Sequence, residues 1–125
     1  MMKVVAFAGA AVGLLLGATA QAQAPKAVYT WTGYGVNVPG SSKCPTYKMT
    51  IDVTVEGDQV KGLFQQEGRP QRHFETTLGK NGAIKTAATV GGGGIMDVIG
   101  QIKEGDSKIK LDGYCKFEGA LTKKQ

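Results

Sequence analysis

The stretch of sequence that decides the fold is residues 46–56, TYKMTIDVTVE. Within it, apolar and polar side chains alternate without interruption. The apolar ones are Tyr47, Met49, Ile51, Val53 and Val55. Successive side chains of a β-strand point to opposite faces, so a period of two over this length predicts a strand with one buried face.

The same alternation continues along the rest of the chain. Gly57-Asp58 supplies turn residues after the first segment, and residues 60–67 follow as the second strand of a predicted hairpin. Asn81-Gly82 is the strongest local hairpin signal. The remaining predicted strands cover residues 28–36, 72–78, 83–90, 95–103, 108–112 and 114–121.

These segments amount to about eight short strands separated by turn residues, which is typical of a barrel or a sandwich. Short sequential connections favour an antiparallel up-and-down arrangement. The sequence therefore predicts a small all-β domain, either an up-and-down barrel or a sandwich. In a barrel, the first and last strands would pair and close the sheet.

The N-terminus carries the three parts of a secretory signal peptide. Lys3 is followed by an uncharged apolar stretch over residues 4–16, and Ala20-Gln21-Ala22 matches the small-x-small cleavage pattern. A membrane anchor is the alternative, but a spanning helix needs about 20 apolar residues. We expect residues 1–22 to be removed and residues 23–125 to form a single domain. The protein would then be periplasmic or secreted, with no transmembrane segment after cleavage.

Two cysteines, Cys44 and Cys115, are the whole complement of the chain. In an exported protein an even, minimal count predicts one disulfide. The formal net charge is +5, and the basic residues are spread along the chain. Nucleic-acid binders usually concentrate such charge in a stripe, so a nucleic-acid partner is not expected.

The candidate ligand-binding residues fall into two groups, aromatic and basic. Aromatic side chains at a barrel mouth can stack on ligands, although in a small domain they more often fill the core. The polar group includes His73 beside Glu75, which could act in acid–base chemistry or simply form the polar outer face of a strand. The candidates are Tyr29, Trp31, Tyr34, Tyr47, Arg69, Arg72 and His73.

The glycine run over residues 91–94 leaves two interpretations open. It is either a flexible connection or a backbone nest that could hold an anion. The sequence shows no catalytic motif, no metal-ligand spacing and no cofactor signature, so no catalytic residue, metal or cofactor is expected.

Trp31-Thr32-Gly33, the later Cys44, and the final Gly-Tyr-Cys-x-Phe over residues 113–117 resemble a group of small, uncharacterised, exported proteobacterial β proteins. The resemblance covers most of the predicted mature chain and transfers no functional residue. A looser similarity is to the avidin and lipocalin barrels, whose first strand contains a Gly-x-Trp or Trp-x-Gly motif. It implies a barrel fold, and ligand binding only by analogy.

These features favour an exported, non-enzymatic binding or interaction module of the cell envelope, with an unknown small molecule or envelope protein as partner. Two alternatives stay open: an inhibitor or accessory protein of an envelope hydrolase, and a carrier of a small apolar or sugar ligand. An enzyme built around His73 and Glu75 is a further hypothesis that the sequence does not favour. The oligomeric state is not predicted.

Overall fold

The computed structural model describes residues 26–124, so the predicted signal peptide over residues 1–22 lies outside the described residues. The described chain is all-β, as the sequence predicts. Its strands are β1 (Lys26–Tyr34), β2 (Lys48–Glu56), β3 (Gln59–Gln66), β4 (Arg72–Thr77), β5 (Ala83–Thr89), β6 (Ile95–Gln101), β7 (Lys108–Asp112), β8 (Lys116–Ala120) and β9 (Thr122–Lys123). Its helical turns are Cys44–Thr46, Lys80–Gly82 and Gly91–Gly93.

The strands form two antiparallel sheets rather than one closed barrel. The first sheet has the order β9-β1-β2-β3-β4, and the second has the order β8-β7-β6-β5. The consecutive strands β4 and β5 belong to different sheets and share no hydrogen-bond ladder, so the meander is interrupted there. The architecture is therefore sandwich-like, which is one of the two predicted forms.

The alternation over residues 46–56 is confirmed in β2, where Met49, Ile51 and Val53 are fully buried. Their neighbours across the ladders include Phe64, opposite Ile51, so the apolar sides of adjacent strands coincide. The second sheet supplies the other half of the core with Ile84, Met96, Val98, Ile109, Leu111 and Phe117, all buried. Their side chains fill the space between the sheets.

At one seam between the sheets, the first strand meets the end of the chain. The Val36 amide donates to the Lys116 carbonyl at 2.8 Å. Further along, the chain leaves the second sheet after β8, and β9 pairs with Tyr29 and Thr30 of β1. The predicted pairing of first and last strands is thus realised by one bridge and a two-residue strand.

Trp31 covers the same seam from the inside. A Cβ at Gly119 of β8 would collide with the Trp31 indole, so glycine is the residue that lets the ring lie flat against the strand. Trp31 is partly buried against the core and serves packing.

The hairpin predicted around Asn81-Gly82 is wrong. Both residues adopt the expected positive φ, 59° and 76°, but the strands on either side do not pair. The turn is bound to other loops instead: the Gly82 carbonyl accepts from the Ile102 amide at 2.9 Å, and the Leu78 amide donates to the Asp58 carbonyl at 2.7 Å. These hydrogen bonds fix the segment in which the chain passes from the first sheet to the second.

The predicted disulfide is confirmed. Cys44 and Cys115 are bonded with a Cα–Cα distance of 5.6 Å, and both are buried. The bond joins the turn after β1 to the residue before β8. We call this side of the molecule the disulfide end; the opposite side, with the β2–β3 and β6–β7 connections, is the far end.

Among residues 26–124, no helix is long and apolar enough to cross a membrane.

Candidate functional site

The most chemically loaded part of the disulfide end is centred on Tyr114, which directly precedes the bridged Cys115. Its hydroxyl donates a hydrogen bond to Gln66 Oε1 at 2.7 Å, and its ring packs edge-on against Phe117. Gln66 is the last residue of β3 and is only 7% exposed, whereas Tyr114 is 43% exposed. The phenol is thus held at a fixed position on the surface.

Two arginines, Arg69 in the β3–β4 connection and Arg72 at the start of β4, act electrostatically on this phenol. The backbone of Arg69 is fixed on both sides, because its amide donates to the Gln66 carbonyl at 2.9 Å and its carbonyl accepts from Gln65 Nε2 at 2.8 Å. Arg72 begins β4, and a Cβ placed on Gly91 would lie 3.4 Å from its guanidinium nitrogen. Arg72 therefore extends along the glycine turn that joins β5 to β6.

The pKa of the Tyr114 phenol depends on its burial and on these charged neighbours. Burial raises the pKa of the Tyr114 phenol above its ordinary 10.0, and the positive charges of Arg69 and Arg72 partly oppose that rise. The nearby Tyr47 phenol adds a small increase. At neutral pH the hydroxyl is consequently uncharged.

We call Tyr47, Gln66, Arg69, Arg72 and Tyr114 the Arg–Tyr cluster. Arginine presents a planar fork of donors that matches a carboxylate or a phosphate, and a tyrosine hydroxyl beside it can add a further hydrogen bond. The cluster is therefore chemically suited to an anionic group.

Three of the predicted ligand-binding residues, Tyr47, Arg69 and Arg72, act electrostatically on Tyr114. Tyr114, the residue on which they act, was not among the residues predicted from the sequence. The available signal was its place beside Cys115, because a bridged cysteine fixes the backbone of its neighbour.

The other predicted residues lie apart from the cluster. Trp31 packs at the seam, and Tyr29 lies at the far end. Tyr34 is 58% exposed on the outer face of the first sheet, opposite Lys48. His73 is exposed on the outer face of β4, which it shares with Glu75, and pairs with Leu63. This is the polar outer face that the alternation predicted as the alternative to a site.

A cavity of about 450 Å³ opens where β4 and β5 fail to pair. It is lined by residues 71–75 of one sheet and by Ala87, Ala88 and Thr89 of the other. The glycine turn lies just beyond it, with positive φ at Gly92 and Gly93 and open space beside both.

A larger groove of about 1080 Å³ lies at the far end. Its apolar lining comes from Tyr29, Ile99, Ile109 and Leu121, together with the small residues Gly100, Gly119 and Ala120. Ile99 is 42% exposed on the outer face of β6. The groove forms where β9 leaves the second sheet to join the first.

Among the described residues 26–124, no group of three or more His, Cys, Asp or Glu side chains could hold a metal ion. Comparisons with protein-family models, with curated proteins and with solved structures find no match to this chain.

Proposed function

We propose that this protein is an exported, non-enzymatic binding module of the cell envelope that holds an anionic group of its ligand or partner at the Arg–Tyr cluster. The signal-like N-terminus supports export, and the buried disulfide is compatible with an oxidising compartment. The single observation that carries the proposal is that the positive charges of Arg69 and Arg72 both act on the Tyr114 phenol, whose position is fixed by its hydrogen bond to Gln66.

The packing of the core supports a site on the surface rather than in the interior. Apolar side chains from both sheets fill the space between them, including Met49, Phe64 and Phe117 at 0–2% exposure. A ligand cannot enter this space without displacing the core. Binding therefore takes place at an end of the sandwich, and the disulfide end is the one where two arginines act on the same phenol.

The state of the cluster also favours binding. The charges of Arg69 and Arg72 both raise the positive potential at Tyr114, and an anion bound there would be attracted by that potential and accept hydrogen bonds from their donors. The Arg69 backbone and the Tyr114 phenol are already fixed by hydrogen bonds, so little ordering of these groups is needed when the anion arrives. An acidic side chain of an envelope hydrolase could occupy the same place, which keeps the inhibitor or accessory role within this proposal.

Carriage of a small apolar or sugar ligand is the second candidate function. The observation that favours it is the groove at the far end, whose volume of about 1080 Å³ reaches the size of a ligand pocket. Catalysis by His73 is not proposed, because its side chain lies with that of Glu75 on the exposed outer face of β4.

The proposal is tested by titrating isotopically labelled protein, residues 23–125, with inorganic phosphate and with a glutamate-rich peptide while recording amide NMR spectra. We expect the largest shifts at Gln66, Gly91 and Tyr114. The double variant Arg69→Gln/Arg72→Gln should bind at least about tenfold more weakly, as expected when two charge-assisted contacts are lost.

The matched control is Lys61→Gln, which removes one positive charge from an exposed position on the outer face of β3. It should bind as the unaltered protein does. Equal weakening by the control, or shifts spread evenly over all basic residues, would show general charge attraction and refute a defined site.

A further inference from the structure

The groove at the far end combines an apolar lining with lysines. Its lining includes Lys103, Lys108, Lys110 and Lys123, against three acidic residues, Glu104, Asp106 and Glu118. The apolar part is contributed from two directions, by Ile99 on β6 and by Tyr29 on β1. A ligand in the groove would contact apolar surface and positive charge together.

Two of the three acidic groups are engaged with neighbours. Asp106 accepts hydrogen bonds from Gln101 Nε2, at 3.1 Å to its carboxylate and 2.8 Å to its carbonyl. Glu118 stands directly opposite Lys110 in the β7–β8 ladder, where opposite charges attract. The four lysines against the three acidic residues leave the lining with a net positive charge.

Lys108 has a different environment. Its cross-strand neighbours are Ala120 on β8 and Gln101 on β6, neither of which carries a charge. Lys123 on β9 lines the same groove and pairs with Tyr29. The ladder neighbours of both lysines are therefore uncharged on the side of the groove nearest to β9.

We propose that the groove binds a single-chain amphiphile with a carboxylate head group, such as a fatty acid. The head lies by Lys108 and Lys123, and the alkyl chain lies along Ile99 and the small residues of the groove. The inference rests on the second candidate function, ligand carriage, and supplies its ligand class. It is independent of the Arg–Tyr cluster, which lies at the opposite end of the sandwich.

Charge complementarity and shape support this occupant over others. A flexible alkyl chain can follow an open groove lined by glycine and alanine, where a rigid ring system would lack contacts on the solvent side. A cationic amphiphile would meet four lysines against three acidic residues, a lining of net positive charge. A neutral one would gain the apolar contacts alone.

The test uses calorimetric titration of residues 23–125 with dodecanoate, dodecanol and dodecylamine below the concentrations at which they aggregate. We expect dodecanoate to bind about tenfold more tightly than dodecanol, and dodecylamine more weakly than either. Equal or tighter binding of dodecylamine overturns the inference.

The matched variants are Ile99→Glu and Leu63→Glu. Both replace an apolar side chain that faces outward from a strand and is 42% or 44% exposed, but only Ile99 lines the groove. Ile99→Glu should weaken dodecanoate binding at least about tenfold, because it places a negative charge beside the chain. Leu63→Glu should have no effect, and equal loss in both variants contradicts the site.

Amide NMR shifts of the unaltered protein locate the ligand without relying on any variant. We expect dodecanoate to shift Gly100 and Gly119, whereas shifts confined to Gly91 and Tyr114 would overturn the groove assignment. The variant Arg69→Gln/Arg72→Gln separates the two proposals. Unchanged dodecanoate affinity in it supports the groove, and a loss shows that the carboxylate binds the Arg–Tyr cluster, which leaves the first proposal standing.

Discussion

Opening the Cys44–Cys115 bond should produce the largest loss of stability available from a change at two positions. The cysteines are 71 residues apart, so the bond closes most of the folded chain into one loop. In the chain-entropy description, removing a cross-link that closes a loop of this length costs about 4.4 kcal/mol at room temperature. For a domain of this size, that corresponds to a fall in Tm of about 20 °C.

The measurement is urea unfolding of the double variant Cys44→Ala/Cys115→Ala beside the unaltered protein. The free energy of unfolding should fall by about that amount, and the m-value should rise because the denatured chain becomes more expanded. Reduction of the unaltered protein with dithiothreitol is the matched control, because it opens the loop without removing the buried sulfur atoms. A loss below about 1 kcal/mol in both samples would refute the loop-entropy reasoning.

Three further predictions concern the seam and the Arg–Tyr cluster. Gly119→Ala should cost about 1–3 kcal/mol, because the new methyl group displaces the Trp31 indole, and tryptophan fluorescence should report the movement. Arg72→Gln should raise the pKa of Tyr114 further, since a charge that lowers it is removed; phenolate absorbance measures this, and an unchanged titration contradicts the placement of Arg72. Because the folded pKa of Tyr114 lies above its unfolded value of 10.0, the protein should lose stability as the pH rises above that value. Tyr114→Phe should remove this part of the alkaline sensitivity, and unfolding curves recorded over that pH range decide it.

Much of the fold follows from side-chain alternation, since burial on one face leaves a direct record in the sequence. In β2, the alternation places Met49, Ile51 and Val53 in the core, as predicted. The turn after β2 also follows from its residues, because Gly57 adopts a φ of 64° that favours glycine. Local chemistry of this kind is sufficient wherever two strands pair through a short turn.

The interruption between β4 and β5 could not be predicted in the same way. Asn81 and Gly82 favour positive φ whether or not the flanking strands pair, and their actual partners are distant in sequence. One of those partners is Ile102, which is separated from Gly82 in the sequence by the whole of β5 and β6. A local pattern contains no information about such contacts, so the choice between barrel and sandwich stayed open.

The candidate site was partly predictable for a similar reason. Arg69 and Arg72 attract attention as charges around a turn, but their common neighbour Tyr114 lies far along the chain. The hydrogen bond from Tyr114 to Gln66 connects the two regions, and no local pattern in the sequence marks it. The groove at the far end depends on the point where β9 changes sheets, which no periodicity marks.

Because β4 and β5 are not joined by a hydrogen-bond ladder, each is an edge strand that could pair with a second copy of the protein at high concentration. Each of these strands offers unpaired backbone donors and acceptors along one side, which is the template that foreign strands extend. The strands are short, and the exposed charges of Glu75 and Lys85 stand beside that flank. These charges oppose edge-to-edge association that the free hydrogen-bonding groups would otherwise allow. Replacing Glu75 and Lys85 by threonine should therefore make the protein more prone to aggregate.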